Sequence, residues 1–277
     1  MDWMTVGRWA LILAGMGVAV YVVVAAGMFL GQRHLLYHPG PPLPPPAVAG
    51  VPEMRAVTLE TADGLKLTAW WAPPPAPDRP VLVHLHGNAD NIAARTPRYH
   101  AYMARGLGVL AVEYRGFGGN PGTPSAAGLR RDAAAALDFL DGRDIPADRR
   151  ILYGESLGTG VAVLTAAERP CAALVLEAPF DTLVSVGRHH YPWLPVNLLL
   201  TERFPAARAI HRVTAPVLVM IAGNDRLVPP HLGRRLYEAA SAPKTLEVFP
   251  GAHHLDLYEH GAERRVMAFL ADHGLDH

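Results

Sequence analysis

The chain has 277 residues, half of them hydrophobic, with 25 Lys and Arg balanced by 25 Asp and Glu. That length suits one large α/β domain or two small ones, and a formal charge of zero gives no electrostatic support for a nucleic-acid partner. Cys171, the only cysteine, excludes an internal disulfide and any multi-cysteine metal site, and in "CAALVLEAP" it reads as a small buried thiol.

The first predicted element is "WALILAGMGVAVYVVVAAGMFL", Trp9–Leu30, which carries no charge. As a helix it would be ~33 Å long, enough for the ~30 Å hydrocarbon core of a bilayer. Residues 9–30 are therefore expected to be a transmembrane anchor, with Trp3, Trp9 and Tyr37 at the interfaces. A cleaved leader is the rival reading, but its apolar stretch should be shorter and no A-x-A site follows. Arg8 and Arg33 flank the two ends and nearly cancel, so the side of the membrane is not set. Residues 31–53 include "HPGPPLPPPAVAGVP", too rich in proline for helix or ladder. They are expected to form a stiff, extended linker holding a folded domain (residues 54–277) off the bilayer. An ordered strap lying on that domain is the alternative.

From Met54 onward the patterning alternates. "AVTLET" and "LKLTAWW" flank Asp63-Gly64, a hairpin signal. "VLVHLH", "VLAVEY", "ILYG", "ALVLEA", "VLVMIAG" and "TLEVF" are near-continuous apolar runs, the mark of strands buried on both faces. Helical stretches are predicted between them, over 95–104, 125–140, 157–168, 231–240 and 264–271. Two antiparallel strands followed by strand–helix alternation imply a mostly parallel sheet with helices on both faces. Ligands then bind beyond the carboxyl ends of the strands.

Those strand ends carry the chemistry. "GESLG", Gly154–Gly158, is G-x-S-x-G between a strand and a helix, which makes Ser156 a candidate nucleophile. The flanking glycines let strand and helix approach closely enough for a serine to stand on a strained turn. A serine nucleophile needs a base and an orienting acid, in the chain order Ser, acid, His. Asp225 follows "VLVMIAG", and His253-His254 follow "TLEVF" in "GAHHLDL". Asp181 in "APFDT" is a rival acid, less well placed because Asp225 lies directly one strand before the histidine loop. Asp256 is too near the pair to orient it and is expected to fix the loop. The residues alone leave His253 and His254 both open. Leu157 N–H and Asn88 N–H, the latter from "HGNAD", are the expected oxyanion donors. His86 is expected to be structural, and "YRGFGGNPG" lacks phosphate-loop features and reads as a turn at the rim. No H-E-x-x-H or H-x-H-x-D pattern points to a metal.

In this order "HGN", "YRGFG", "GESLG", "GNDRLVP" and "GAHHLD" resemble the α/β-hydrolase fold family, over about Met54 to the C-terminus. The chain is most similar to a branch of N-terminally membrane-anchored serine hydrolases, whose anchor is followed by a segment like "QRHLLYHP", Gln32–Pro39. The resemblance implies an eight-stranded, mostly parallel α/β-hydrolase sheet with flanking helices and a small cap. It maps the triad to Ser156, Asp225 and His254 and requires no cofactor. The family pattern around the base usually reads Gly-His-Asn-Asp. Asp256 matches its last position and selects His254, while His253 replaces the glycine and Leu255 the asparagine.

Members of the branch are generally assigned as esterases, lipases or acyl thioesterases. The expected function is thus a membrane-anchored serine hydrolase acting on a lipid-like or acylated ester or thioester. A serine peptidase of the same fold and a non-catalytic hydrolase-fold binding protein are the alternatives. Residues 179–215 form a short lid segment containing "HHYPWLPVNLLL". There Phe180, Tyr191, Trp193, Leu194 and Leu198 are candidates for an acyl groove or, equally, for the core of a helical cap.

Overall fold

The structure is a computed structural model that describes residues 2–276. Its first element, α1 (Trp3–Leu36), is longer at both ends than the charge-free run. Asp2 caps it by accepting from Met4 N–H at 3.2 Å, and Pro39 favours extended backbone at His38, two residues after the helix ends. Among the described residues this is the one helix long and apolar enough to cross a membrane, a test that a leader sequence near the N-terminus also passes.

The proline-rich stretch is a strap and not a spacer. Tyr37 and Val51 are buried. Strand β1 (His38–Pro39) pairs in parallel with β5 (Ala89–Asp90). Leu43 N–H donates to the Gly118 carbonyl at 2.9 Å, and Asn91 Nδ2 donates to the Pro41 carbonyl at 2.8 Å. Proline removes its own donor but leaves a carbonyl free to accept, so the segment satisfies the loops it crosses.

The central sheet contains β2 (Arg55–Glu60), β3 (Lys66–Ala72), β4 (Val81–Leu85), β6 (Gly108–Val112), β7 (Arg150–Glu155), β8 (Ala173–Glu177), β9 (Val217–Ala222) and β10 (Lys244–Phe249). Their order is β10-β9-β8-β7-β4-β6-β3-β2, parallel except where the β2–β3 hairpin joins. Every residue of β4, β6, β7, β8 and β9 is buried, which is why these strands read as continuous apolar runs. Helices α3 (Ala126–Asp141), α4 (Leu157–Ala166) and α8 (Pro230–Ala239) share one apolar core, and α2 (Thr96–Ala104) and α9 (Ala262–Asp272) share the other. A small cap of α5 (Leu183–His190), α6 (Val196–Leu199) and α7 (Ala206–Ala209) connects β8 to β9. The chain passes from β4 to β6 on one side and back to β7 on the other, so β4/β7 is the switch point where a crevice forms.

Candidate active site

Ser156 sits at that switch point, between the end of β7 and the first residue of α4, with φ 51° and ψ −116°. A non-glycine residue at positive φ is strained, and its neighbours show what permits it. A Cβ on Gly154 would lie 2.6 Å from Thr159 Cα, and one on Gly158 would overlap the Leu85 carbonyl. Both glycines are thus required by the close packing of α4 on β7 and β4. Ser156 N–H donates to the Glu177 carbonyl at 2.9 Å, pinning the turn to the next strand.

Asp225 follows β9. Its Oδ1 accepts from Leu227 N–H and Val228 N–H, both at 2.8 Å. Those amides orient the carboxylate so that Oδ2 lies 2.6 Å from His254 Nδ1. The other ring nitrogen, Nε2, lies 2.8 Å from Ser156 Oγ. The loops bearing Asp225 and His254 are joined by Asn224, whose N–H donates to the Ala252 carbonyl at 2.9 Å. Asp256 accepts from His253 N–H at 2.6 Å and so braces the histidine loop. The His253 ring is turned to solvent and makes no side-chain hydrogen bond among the described residues. Asp181 accepts from Thr182 N–H at 2.7 Å and faces Arg235 at 3.6 Å, while the carboxylate on His254 is that of Asp225. His86 is buried against the Tyr114 ring, with centroids 4.3 Å apart, and stands 3.1 Å from Glu113 Oε1.

Leu157 N–H is the first amide of α4 and has no intrahelical acceptor. Asn88 spends its side chain elsewhere, donating to the Leu36 carbonyl at 2.7 Å, and no described group accepts from its backbone N–H. Both residues border the same cavity as Ser156.

A family described as "Serine aminopeptidase, S33" matches residues 76–201 and 199–261. The chain belongs to this α/β-hydrolase family. It is 43% identical over 245 residues to an uncharacterized protein of Mycobacterium tuberculosis, covering 86% of this chain and 87% of that one. It is 30% identical over 201 residues to the lysophosphatidylserine lipase ABHD12 of Rattus norvegicus, covering 65% of this chain and 50% of that one. Esterase Pf2001 of Pyrococcus furiosus shares the fold, with a TM-score of 0.69 at 22% identity over 85% of this chain and 98% of that one.

The cavity of this hydrolase measures about 310 Å³, within the range of small-molecule sites. Phe180, Tyr191 and Leu194 line it, together with Leu183, Val186 and Leu200 of the cap region. Trp193 and Leu198 do not. Trp193 is half exposed and packs edge-on against Tyr21 of α1, with centroids 6.2 Å apart, and Leu198 is 75% exposed. The sequence reading missed the opposite wall, formed by Met28, Phe29, Gln32, Leu35 and Leu36 of α1. Gln32, Leu35 and Leu36 fall in the segment read as a linker, and in the apolar run that holds Met28 and Phe29 nothing local marks which positions face a cavity.

On the far side of the elbow is a sealed charged cluster. Arg98 Nη1 lies 2.6 Å from Glu177 Oε2 and 3.2 Å from Glu155 Oε2. Arg95 forks onto Glu155, Nε at 2.9 Å and Nη2 at 2.6 Å, and the Tyr153 hydroxyl donates to Glu177. Burial opposes charge on Glu155, but His84, Arg98 and Arg95 outweigh it and hold the carboxyl well below its ordinary range. His84, paired with the Tyr99 hydroxyl at 3.0 Å, is pushed by burial from 6.5 down to about 4 and is neutral at pH 7. Glu155 and Glu177 end β7 and β8, so the cluster braces the strand that leads into Ser156 and the neighbour to which its N–H is bonded.

Proposed function

We propose that this chain is a membrane-anchored serine hydrolase that cleaves a carboxylic ester or acyl thioester through an acyl-enzyme on Ser156. One observation carries the reading: the unbroken path from Ser156 Oγ through His254 to Asp225, at 2.8 Å and 2.6 Å. In that arrangement His254 Nε2 takes the Ser156 proton as Oγ bonds to the acyl carbon. The oxyanion is held by Leu157 and Asn88 N–H groups. Collapse breaks the bond to the leaving oxygen or sulfur, which receives the proton from His254. Water, deprotonated by the same imidazole, then releases the acid. Asp225 is the positioning residue that stabilises the charged ring.

The wall supports a reading of the substrate class. An aminopeptidase must hold an α-ammonium group, which calls for a carboxylate near the nucleophile. The residues that line the cavity include no Asp or Glu. A long apolar wall suits an acyl chain instead. A relative named as a lysophosphatidylserine lipase accords with a lipid ester. Phe180, Tyr191 and Leu194 are assigned to acyl contact, and α1 to anchoring.

The test is a fluorophosphonate probe on membranes carrying the full chain. Wild type should label and Ser156→Ala should not. A wild type that stays unlabelled would leave the non-catalytic binding protein as the better reading.

A further inference from the structure

The helix that should only tether the domain is built into it. Among the described residues, α1 is exposed at every position from 3 to 24, after which Ala25, Met28, Gly31, Gln32 and Leu36 form a partly covered stripe. Spacings of three and four put that stripe on one face, and the face is turned to the cap. Gln32 Oε1 accepts from Thr201 N–H at 2.8 Å and from its hydroxyl at 2.9 Å. Arg33 Nε lies 2.7 Å from buried Glu202, which also accepts from the Tyr37 hydroxyl at 3.1 Å. A flexible tether requires none of these.

Length then locates the bilayer. Crossing ~30 Å takes about 20 helical residues. Counted from Trp9, the first residue past the charge of Arg8, that span ends at Met28, which lines the cavity. Tyr21 is one helical stretch of ~10 Å deeper, and its hydroxyl donates to the Trp193 carbonyl of the cap at 3.1 Å. The cap edge is therefore drawn below the membrane surface, to the depth of ~5–10 Å usual for interfacial apolar elements. Its surface matches. Outside α1, the large hydrophobic side chains found exposed are Tyr191, Trp193, Leu198, Leu227, Leu255 and Val48. All but Val48 belong to the cap or to the loops carrying Asp225 and His254.

We infer that the last turns of α1 are a wall of the acyl pocket and that its mouth opens into the bilayer. The acyl chain of a membrane-resident ester thus enters sideways, between α1 and the cap. This rests on the reading of the chain as a membrane-anchored ester hydrolase. Met28 and Phe29 are then specificity residues as well as parts of the anchor.

The experiment uses the full chain in phospholipid vesicles and a long-chain alkyl fluorophosphonate with a diazirine at the chain end. After attachment to Ser156 and irradiation, peptide mapping should find crosslinks on α1 at Met28, Phe29 or Leu35. Crosslinks confined to the sheet domain and cap, or to lipid, would overturn the wall while leaving the hydrolase reading intact. Failure to attach at Ser156 would remove both. A second arm places an environment-sensitive fluorophore at Leu198→Cys or Asp78→Cys in a Cys171→Ser background. Brominated lipid should quench position 198 and spare position 78, which precedes β4 at the opposite end of the strands. Equal quenching at the two positions would overturn the submerged mouth.

Discussion

The two sides of Ser156 are built on opposite chemistry. Behind it, Glu155, Glu177, Arg95 and Arg98 are paired in a sealed cluster, with side chains from 1% to 16% exposed. In front, the cavity wall is mostly apolar and carries no carboxylate. Charge pairs are directional, and losing one partner leaves a buried charge without compensation. The cluster therefore has one arrangement and transmits it to the strand ends. Carbon contacts are non-directional, so an apolar wall constrains volume more than orientation. The contrast teaches that the placement of Ser156 and the character of the cavity in front of it rest on different forces, and that they can be altered separately.

The largest effect tests what the two sides jointly hold in place. His254→Ala should lower kcat on a p-nitrophenyl ester by on the order of 10⁴- to 10⁶-fold, while His253→Ala stays within about threefold. The reverse order would hand the role of base to His253. The next test is on stability. Arg98→Met should cost about 3–5 kcal/mol in urea denaturation because Glu177 loses its buried partner, whereas Leu227→Ala at the cavity rim should cost less than about 1 kcal/mol. Similar costs would dissolve the contrast between rigid and permissive sides.

The smallest effect is a dependence on pH. His84 titrates near 6.5 when unfolded and about 4 when folded. Between those values the unfolded chain binds more protons, so stability falls as the pH drops from 6.5 towards 4. The depression corresponds to on the order of 3 kcal/mol. Glu155, held low in the folded state, adds loss of the same sign once the pH falls below the ordinary carboxylate value. Replacing His84 by Gln should flatten the stability profile between pH 6.5 and 4. An unchanged slope would show that burial does not hold His84 neutral.

Much of the sheet was legible because each buried strand writes its environment locally, as in "VLVHLH" and "ALVLEA". Ser156 was legible for a similar reason: the steric demand of its turn falls on Gly154 and Gly158, two residues away on either side. Asp225 and His254 could be named from strand order, with the choice between adjacent histidines resting on resemblance. Only the folded chain separates them by orientation, turning His254 inward and His253 to solvent.

By itself, then, the sequence determined the strand–helix alternation, the elbow and an N-terminal helix of membrane-spanning length, all set by short-range sterics and hydrophobic periodicity. The tertiary structure decided that the proline-rich stretch is a strap, that Trp193 and Leu198 face outward, and that α1 walls the cavity. The joining contacts explain why. Arg33 meets Glu202 and Gln32 meets Thr201, each pair 169 residues apart. An apolar residue in a uniform apolar helix carries no local mark of which distant segment will cover it.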